Sequence, residues 1–277
     1  MAMQEQAIAW RQAGEDIGFV PTMGALHEGH DRLVTKARRE NQHVIVSIFV
    51  NPAQFGPHED FARYPRPFEA DRARLEALGV DAIFHPPVDQ IYAPAFKTRV
   101  DPGPLAELLE GNSRPGHFAG VLTVVLKLFL LTQPKRAYFG HKDFQQLVLV
   151  RQLVRDFALP VRIVAVATVR EPDGLAISSR NAYLEPSQRA VAPSIHKALD
   201  EASKAFSGGV TDPAELEGIV RHLLERGPGM AIDYVAVVDE TTLRNPARAI
   251  PGNVLAVAVK LGSIRLIDNV VLGAERL

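Results

Sequence analysis

The sequence holds no cysteine in its 277 residues, which removes disulfide scaffolds, zinc ribbons, thiol catalysis and iron–sulfur clusters together. It also lacks any run of about eighteen apolar residues of the kind that spans a bilayer. The richest stretch, 121–131, is interrupted by Thr123 and Lys127. Excess charge of one sign is missing as well: 31 Lys and Arg stand against 32 Asp and Glu, a formal net charge of −1. Bulk electrostatic attraction to nucleic acid is therefore not expected. The polar amino terminus carries Glu5 and Glu15 and no apolar core ahead of a cleavage site, so a cytoplasmic rather than secreted protein is expected. A dinucleotide Gly-x-Gly-x-x-Gly fingerprint and a P-loop Gly-Lys-Ser/Thr are both absent, which disfavours hydride transfer and ordinary kinase chemistry.

What remains describes a folded chain. The hydrophobic fraction is 47% and the charged fraction 23%, values that exclude intrinsic disorder. The length suits one large or two modest domains. Strands are predicted at 16–20, 43–50, 81–85, 136–139 and 160–168, and helices between them at 29–41, 68–78, 119–132 and 143–157. The β-branched and aromatic run Val44, Ile45, Val46, Ile48, Phe49, Val50 suits a strand buried on both faces of a parallel sheet. This rhythm predicts an α/β fold, a doubly wound (Rossmann-like) parallel sheet with right-handed crossovers. Ligands of such sheets sit beyond the carboxyl ends of the strands, at a switch in strand order.

Past residue 168 the pattern changes. Helices are predicted at 187–206 and 212–226, separated by Ser207-Gly208-Gly209, followed by strands at 232–238, 254–259 and 264–271. Tight Gly and Pro punctuation between those strands favours antiparallel pairing. Two domains are expected: a nucleotide-binding domain at 1–168 and a smaller C-terminal α+β lid at 169–277. The Pro-rich stretch 51–67 has no periodicity and reads as a long loop of the kind that often carries function.

Chemistry concentrates in Pro21-Thr22-Met23-Gly24-Ala25-Leu26-His27-Glu28-Gly29-His30, directly after the first predicted strand. A strand that passes through glycines into a helix start presents free backbone N–H groups and a positive dipole end, which is a phosphate site before any side chain is considered. His27 and His30 are three apart and share one side of the first helical turn. There two imidazoles can donate to phosphate oxygens and stabilise the charge that builds as pyrophosphate departs. Gly24 and Gly29 allow close approach of a nucleotide. Two surface histidines on a capped turn are the plain alternative. Zinc fits less well, because no i, i+4 pair and no third ligand lie nearby.

Other segments supply less specific signals. Gln54 follows the second predicted strand, at the sheet's carboxyl edge, where an amide can bond a hydroxyl or carboxylate without attacking it. Taken alone, Gln54 reads better as a solvated loop residue and Gln146 as a solvated helix residue. Tyr64 either closes the same pocket or is structural. Phe139-Gly140-His141-Lys142-Asp143 repeats the order strand end, glycine, helix start. Lys142 offers a compact charge for phosphate oxygens, and Asp143 either binds ribose hydroxyls or caps the helix. Ser178-Ser179-Arg180 follows the turn Asp173-Gly174 and combines two hydroxyls with a guanidinium, either as a triphosphate clamp or as a capping cluster. Arg114 and His117 line a Gly-Pro-rich turn ahead of the apolar helix, either near the substrate or as structural residues.

Taken together, these segments resemble the His-x-Gly-His nucleotidyltransferase superfamily and, within it, the pantoate–β-alanine ligase family. The resemblance rests on 18–30, on Phe49-Val50-Asn51-Pro52-Ala53-Gln54-Phe55, on Arg63-Tyr64-Pro65-Arg66, on Arg114-Pro115-Gly116-His117-Phe118, on 139–143 with Gln145-Gln146, and on Ser178-Ser179-Arg180-Asn181. It implies a two-step reaction in which ATP and pantoate give a pantoyl adenylate and pyrophosphate, and the amine of β-alanine then gives pantothenate and AMP. It implies that His30, His27, Lys142 and Arg180 are catalytic. It places ATP on Met23, Gly24, Ala25, Leu26, His27, Glu28, Gly29, His30, Gly140, His141, Lys142, Asp143, Val169, Ile177, Ser178, Ser179 and Arg180. Pantoate falls to Gln54 and Gln146, and β-alanine to Gln54. Mg²⁺ is expected with ATP, without dedicated protein ligands, and a homodimer is implied. His141 stands where the family carries Glu or Gln, and Ile177 where it carries Met.

The competing readings are an adenylyltransferase with a dinucleotide-type product and a nucleotide-binding module without turnover. A tRNA-charging role is disfavoured by the neutral charge and the lack of a basic appendage. Lys36, Arg38 and Arg39 read as a solvated helix face and Trp10 as an anchor for the N-terminal segment. His43, His58, His85 and His196 fit no partner pattern.

Overall fold

In the computed structural model, which describes residues 2–57 and 59–274, the apolar run at 43–50 forms the second strand of a parallel sheet. Helix α1 (Ala2–Gln12) leads into β1 (Ile17–Thr22), α2 (Glu28–Glu40) and β2 (His43–Ile48). Two 3₁₀ turns, Pro52–Gln54 and Asp60–Ala62, occupy the predicted loop before α3 (Phe68–Ala77) and β3 (Ala82–Phe84). The one-turn helices α4 (Val88–Ile91) and α5 (Glu110–Ser113) precede α6 (His117–Thr132) and β4 (Arg136–Gly140). A 3₁₀ turn, His141–Asp143, then runs into α7 (Phe144–Asp156) and β5 (Arg162–Val166).

The strand order is β3-β2-β1-β4-β5, all parallel. Successive side chains of a strand face opposite ways, and both faces are buried here. Phe19, Ile45, Ala137 and Phe139 pack with α6 and α7 on one side. Val20, Val44, Val46 and Tyr138 pack with Leu33, Val34 and Ala37 of α2 and Leu75 of α3 on the other. The switch in strand order falls at β1. Its ladder with β2 runs six residues, Ile17↔His43 to Thr22↔Ile48, whereas its ladder with β4 holds only Gly18↔Arg136 and Phe19↔Ala137. Pro21, which has no N–H to give a ladder, lies beyond the end of the β4 pairing. The segments that follow β1 and β4 are therefore the ones such a topology leaves to a ligand.

The chain divides into two compact units. The first takes in 2–107, Arg114–His141 and Gln146–Ala167; the second takes in Leu108–Ser113, Lys142–Gln145 and 168–274. In the second, a hairpin bridged at Arg170 and Ala176 leads to the 3₁₀ turn Ser179–Tyr183. Helices α8 (Pro186–Val191), α9 (Ser194–Ser207) and α10 (Pro213–Glu225) follow, then β6 (Met230–Val238), β7 (Val254–Leu261) and β8 (Ile264–Val271). These strands form an antiparallel sheet in the order β6-β7-β8. Val235, Val237, Leu255, Val257 and Val259 pack with Ile195, Leu199, Leu216, Val220 and Leu224 of the two longer helices.

Several expectations need correction. The single helix predicted at 187–206 is broken at Pro193, whose ring cannot continue a helix begun upstream but readily starts the next. Arg38 is not merely solvated: its guanidinium bonds the Asn41 carbonyl at 2.9 Å and pairs with Asp81, fastening α2 to the start of β3. His43 has partners that the sequence did not reveal. It stacks on Trp10 with ring centroids 4.1 Å apart and pairs with Glu15 at 2.7 Å. His85 bonds the Ile48 carbonyl at 2.7 Å through Nδ1 and stacks on Phe68. His58 lies outside the described residues.

Candidate active site

The turn after β1 is organised by a carboxylate that no sequence motif marks. Gly24 and Ala25 both take left-handed backbone angles, φ 84° and 53°. Ala25 N–H and Leu26 N–H each donate to Asp71 of α3, at 2.8 Å. Asp71 is buried, so these are charge-assisted bonds in a site of low dielectric. Gly24 N–H donates to the Thr22 hydroxyl at 3.2 Å, and His27 N–H to Nδ1 of His30 at 3.2 Å. The N–H groups of Gly24, Ala25, Leu26 and His27 thus have partners within the protein. Helices α2 and α3 are tied together by Arg74, which grips Asp31 with two bonds of 2.6 Å.

His27 is the N-cap of α2, and His30 occupies the third position of its first turn. Their rings lie 4.1 Å apart, tilted by 37°. Because Nδ1 of His30 accepts a hydrogen bond, the ring hydrogen in this arrangement is on Nε2, on the far side of the ring. Gly29 makes the pairing possible. A Cβ at that position would stand 3.0 Å from Cε1 and Nδ1 of His27, so any larger residue obliges the His27 ring to shift.

Gln54 ends the 3₁₀ turn after β2 and is held on both sides of its amide. Asn51 donates to Oε1 at 3.0 Å, and Nε2 donates to the Met23 sulfur at 3.2 Å. This brings the expected pantoate residue into contact with the turn expected to take ATP. Asn51 is itself buried, donating to the Gly120 carbonyl and accepting from the Tyr92 hydroxyl at 2.8 Å. A Cβ on Gly120 would lie 2.1 Å from the Ala53 carbonyl oxygen, so the loop can rest on α6 only over a glycine. Tyr64 is buried and faces Phe55 edge-on. Gln146 is half-buried on α7 in the same unit, while its neighbour Gln145 is buried and structural, bonding Glu110 N–H and the Leu108 carbonyl. Gly140 ends β4 and His141 opens the 3₁₀ turn that follows.

The remaining expected residues belong to the second unit. Lys142 and Asp143 lie in the 3₁₀ turn after β4, and the Lys142 carbonyl accepts from Nδ2 of Asn269 on β8 at 3.0 Å. Its neighbour Asp268 is buried and binds Arg170 at 2.6 and 3.0 Å. Arg170 begins the hairpin whose base is closed by Ile177 N–H donating to the Val169 carbonyl. Arg189 braces the hairpin turn through Glu171 and Asp173, holding the Asp173 carboxyl below its usual range. Ser178 acts as the cap of the turn Ser179–Tyr183, its hydroxyl accepting from Arg180 N–H at 3.3 Å. The capping role anticipated for this cluster thus exists, at Ser178. Ser179 and Arg180 are half-buried in that turn. No group of three or more His, Asp or Glu side chains placed to hold a metal ion occurs among the described residues, nor does a helix long and apolar enough to cross a membrane.

The supporting residues missed in the sequence are Asp71 and the pair Asp268-Asn269. Asp71 looks there like an ordinary acidic residue in a helix's first turn. Asp268-Asn269 does carry a signal, since two polar residues stand side by side in a strand whose other members, Arg265 apart, are apolar.

A family model described as Pantoate-beta-alanine ligase matches residues 1–271 of the chain. Pantothenate synthetase from Agrobacterium fabrum is 52% identical over 275 residues, covering 99% of this chain and 94% of the relative. The protein of the same name from Chloroflexus aurantiacus is 53% identical over 266 residues, 96% and 95% of the two chains. Among solved structures, pantothenate synthetase from Thermus thermophilus superposes with a TM-score of 0.91 at 49% identity, covering 96% and 97% of the chains. Pantoate-beta-alanine ligase from Francisella tularensis, complexed with beta-gamma ATP and β-alanine, gives 0.80 at 38% identity over 98% and 97%.

Proposed function

The chain belongs to the pantoate–β-alanine ligase family, and on that premise we propose that it joins pantoate to β-alanine using ATP, through a pantoyl adenylate. A pantoate carboxylate oxygen attacks the α-phosphorus, the bond to the β-phosphate oxygen breaks, and pyrophosphate leaves. The amine of β-alanine then attacks the acyl carbon, sheds a proton, and displaces AMP. The observation that carries this reading is the His27–His30 pair at the carboxyl end of β1. His30 accepts from His27 N–H at Nδ1 and so carries its ring hydrogen on Nε2, in the first turn of α2. Donors aimed at a leaving phosphate stabilise charge that grows in the transition state.

In this reading Lys142, Ser178, Ser179 and Arg180 act on the triphosphate, and Met23, Gly24, Ala25, Leu26, Glu28, Gly29, Gly140, His141, Asp143, Val169 and Ile177 bind the nucleotide. Gln54 and Gln146 hold pantoate, and Gln54 also receives β-alanine. Gln54 supports this role because its amide touches Met23, which sets the carboxylate acceptor against the ATP turn. Mg²⁺ fits as an ion carried by the phosphate oxygens, where it supplies charge neutralisation. A cytoplasmic homodimer accords with the same family reading.

Isotope exchange between pyrophosphate and ATP, measured with Mg²⁺ and pantoate but no β-alanine, tests the adenylate directly. Exchange dependent on pantoate is the expected result. Its absence, or ADP as product of the full reaction, removes the adenylate.

A further inference from the structure

Arg114 and His117 look from the sequence like residues near the substrate. Their hydrogen bonds give them a different task. His117, the first residue of α6, is buried, and both of its ring nitrogens are occupied. Nδ1 lies 2.8 Å from the Gln54 carbonyl oxygen and Nε2 lies 3.0 Å from Nη1 of Arg114. A carbonyl only accepts and a guanidinium only donates. The ring must therefore carry its hydrogen on Nδ1, which donates to Gln54, and accept at Nε2. Arg114 uses its other donors on Glu59, with Nε and Nη2 each 2.7 Å from a carboxylate oxygen. Burial alone would raise the Glu59 carboxyl, but the bonds from Arg114 outweigh it and hold the group below its ordinary range.

We infer that Glu59, Arg114 and His117 are positioning residues that set the main chain of Gln54, and through it recognition of the hydroxy acid, without touching substrate themselves. This deepens the reading above and rests on its assignment of Gln54. Glu59 fixes the plane of the guanidinium, which fixes the imidazole tautomer, which directs one N–H at the carbonyl of the recognising residue. Asn51 and Met23 hold the side chain of the same glutamine. Gln54 is thus constrained at backbone and amide, which is how a flexible side chain becomes a specific one.

The test separates substrates. In steady-state kinetics, His117→Ala and Arg114→Lys are expected to raise KM for pantoate about tenfold, the cost of orphaning one buried polar partner. KM for ATP should stay within about twofold. His117→Asn, whose amide can donate from near the place of Nδ1, should recover most of the loss. An unchanged pantoate KM in both variants, or parallel rises for pantoate and ATP, overturns the relay. Gln54→Ala is run beside them. If it leaves pantoate KM unchanged, the assignment of Gln54 itself is wrong and the relay's purpose goes with it. Should His117→Ala fail to fold, ¹⁵N spectra of the histidine rings in the unmodified protein decide. A protonated Nδ1 and bare Nε2 at His117 support the relay, and the opposite tautomer rejects it.

Discussion

The two compact units hold the residues proposed to meet phosphate by different means. In the first, the His27–His30 pair is shaped by contacts close in sequence, a glycine under the ring, a cap, and a backbone N–H returned to His30, together with Asp71 on the turn before it. In the second, Lys142 is held by Asn269, 127 positions away, and Asn269 adjoins an aspartate locked to Arg170. The first device is local and rigid, because one helical turn defines it. The second is assembled from strand, hairpin and 3₁₀ turn, so it exists only once the antiparallel sheet has formed.

Substitutions can break this comparison from either side. The largest effect is expected for His30→Ala, with pyrophosphate–ATP exchange falling by about 10²–10⁴ while the thermal midpoint stays near that of the parent. A near-normal exchange rate takes His30 out of the chemistry. Asp71→Asn comes next. One oxygen becomes an amine that faces a backbone N–H, stranding a buried donor at about 1–3 kcal/mol. Exchange should fall by about 10- to 100-fold and the melting temperature by about 5 °C, and an unaltered rate would show that the turn holds its shape unaided.

Asn269→Ala attacks the distant device alone. It frees the Lys142 carbonyl and should cost about tenfold in exchange, read as a raised KM for ATP with KM for pantoate unmoved. Gly29→Ala sharpens the local one, because it separates activity from stability. Alanine favours the helix by about 1 kcal/mol, yet its Cβ must push the His27 ring aside. Calorimetry should show equal or higher stability while exchange drops by about threefold or more.

The smallest effect concerns acid. Glu59 is held below its ordinary value of 4.5, so its contribution to stability is present above that pH and is lost as pH falls through the lower folded value. Unfolding followed at decreasing pH should show this loss, and Glu59→Gln should flatten it.

Much of the site was legible because its chemistry is written in short order. His-x-Gly-His after a buried strand needs only helical geometry to bring two rings to one side, and the structure places them 4.1 Å apart. The β-α-β rhythm was equally plain, since a strand buried on both faces is mostly apolar, as β2 is at Val44, Ile45, Val46 and Ile48. Pro193 was visible too, but the helical period on both sides of it concealed the break. The tie between Asp71 and the turn was not legible. An aspartate in a first helical turn serves equally well as a dipole partner, and nothing local distinguishes the two uses.

By itself, the sequence determined which residue types follow which strand, and so the parallel order, the histidine pair and the glycines that make room for it. These depend on periodicity and on steric rules that act over a few residues. Only the tertiary structure decided which carboxylate receives the turn's amides, which tautomer His117 adopts, and which strand anchors Lys142. Each of those choices is a hydrogen bond between segments far apart in the chain. Its partner is selected by burial and distance after the sheets have assembled, not by any pattern along the chain.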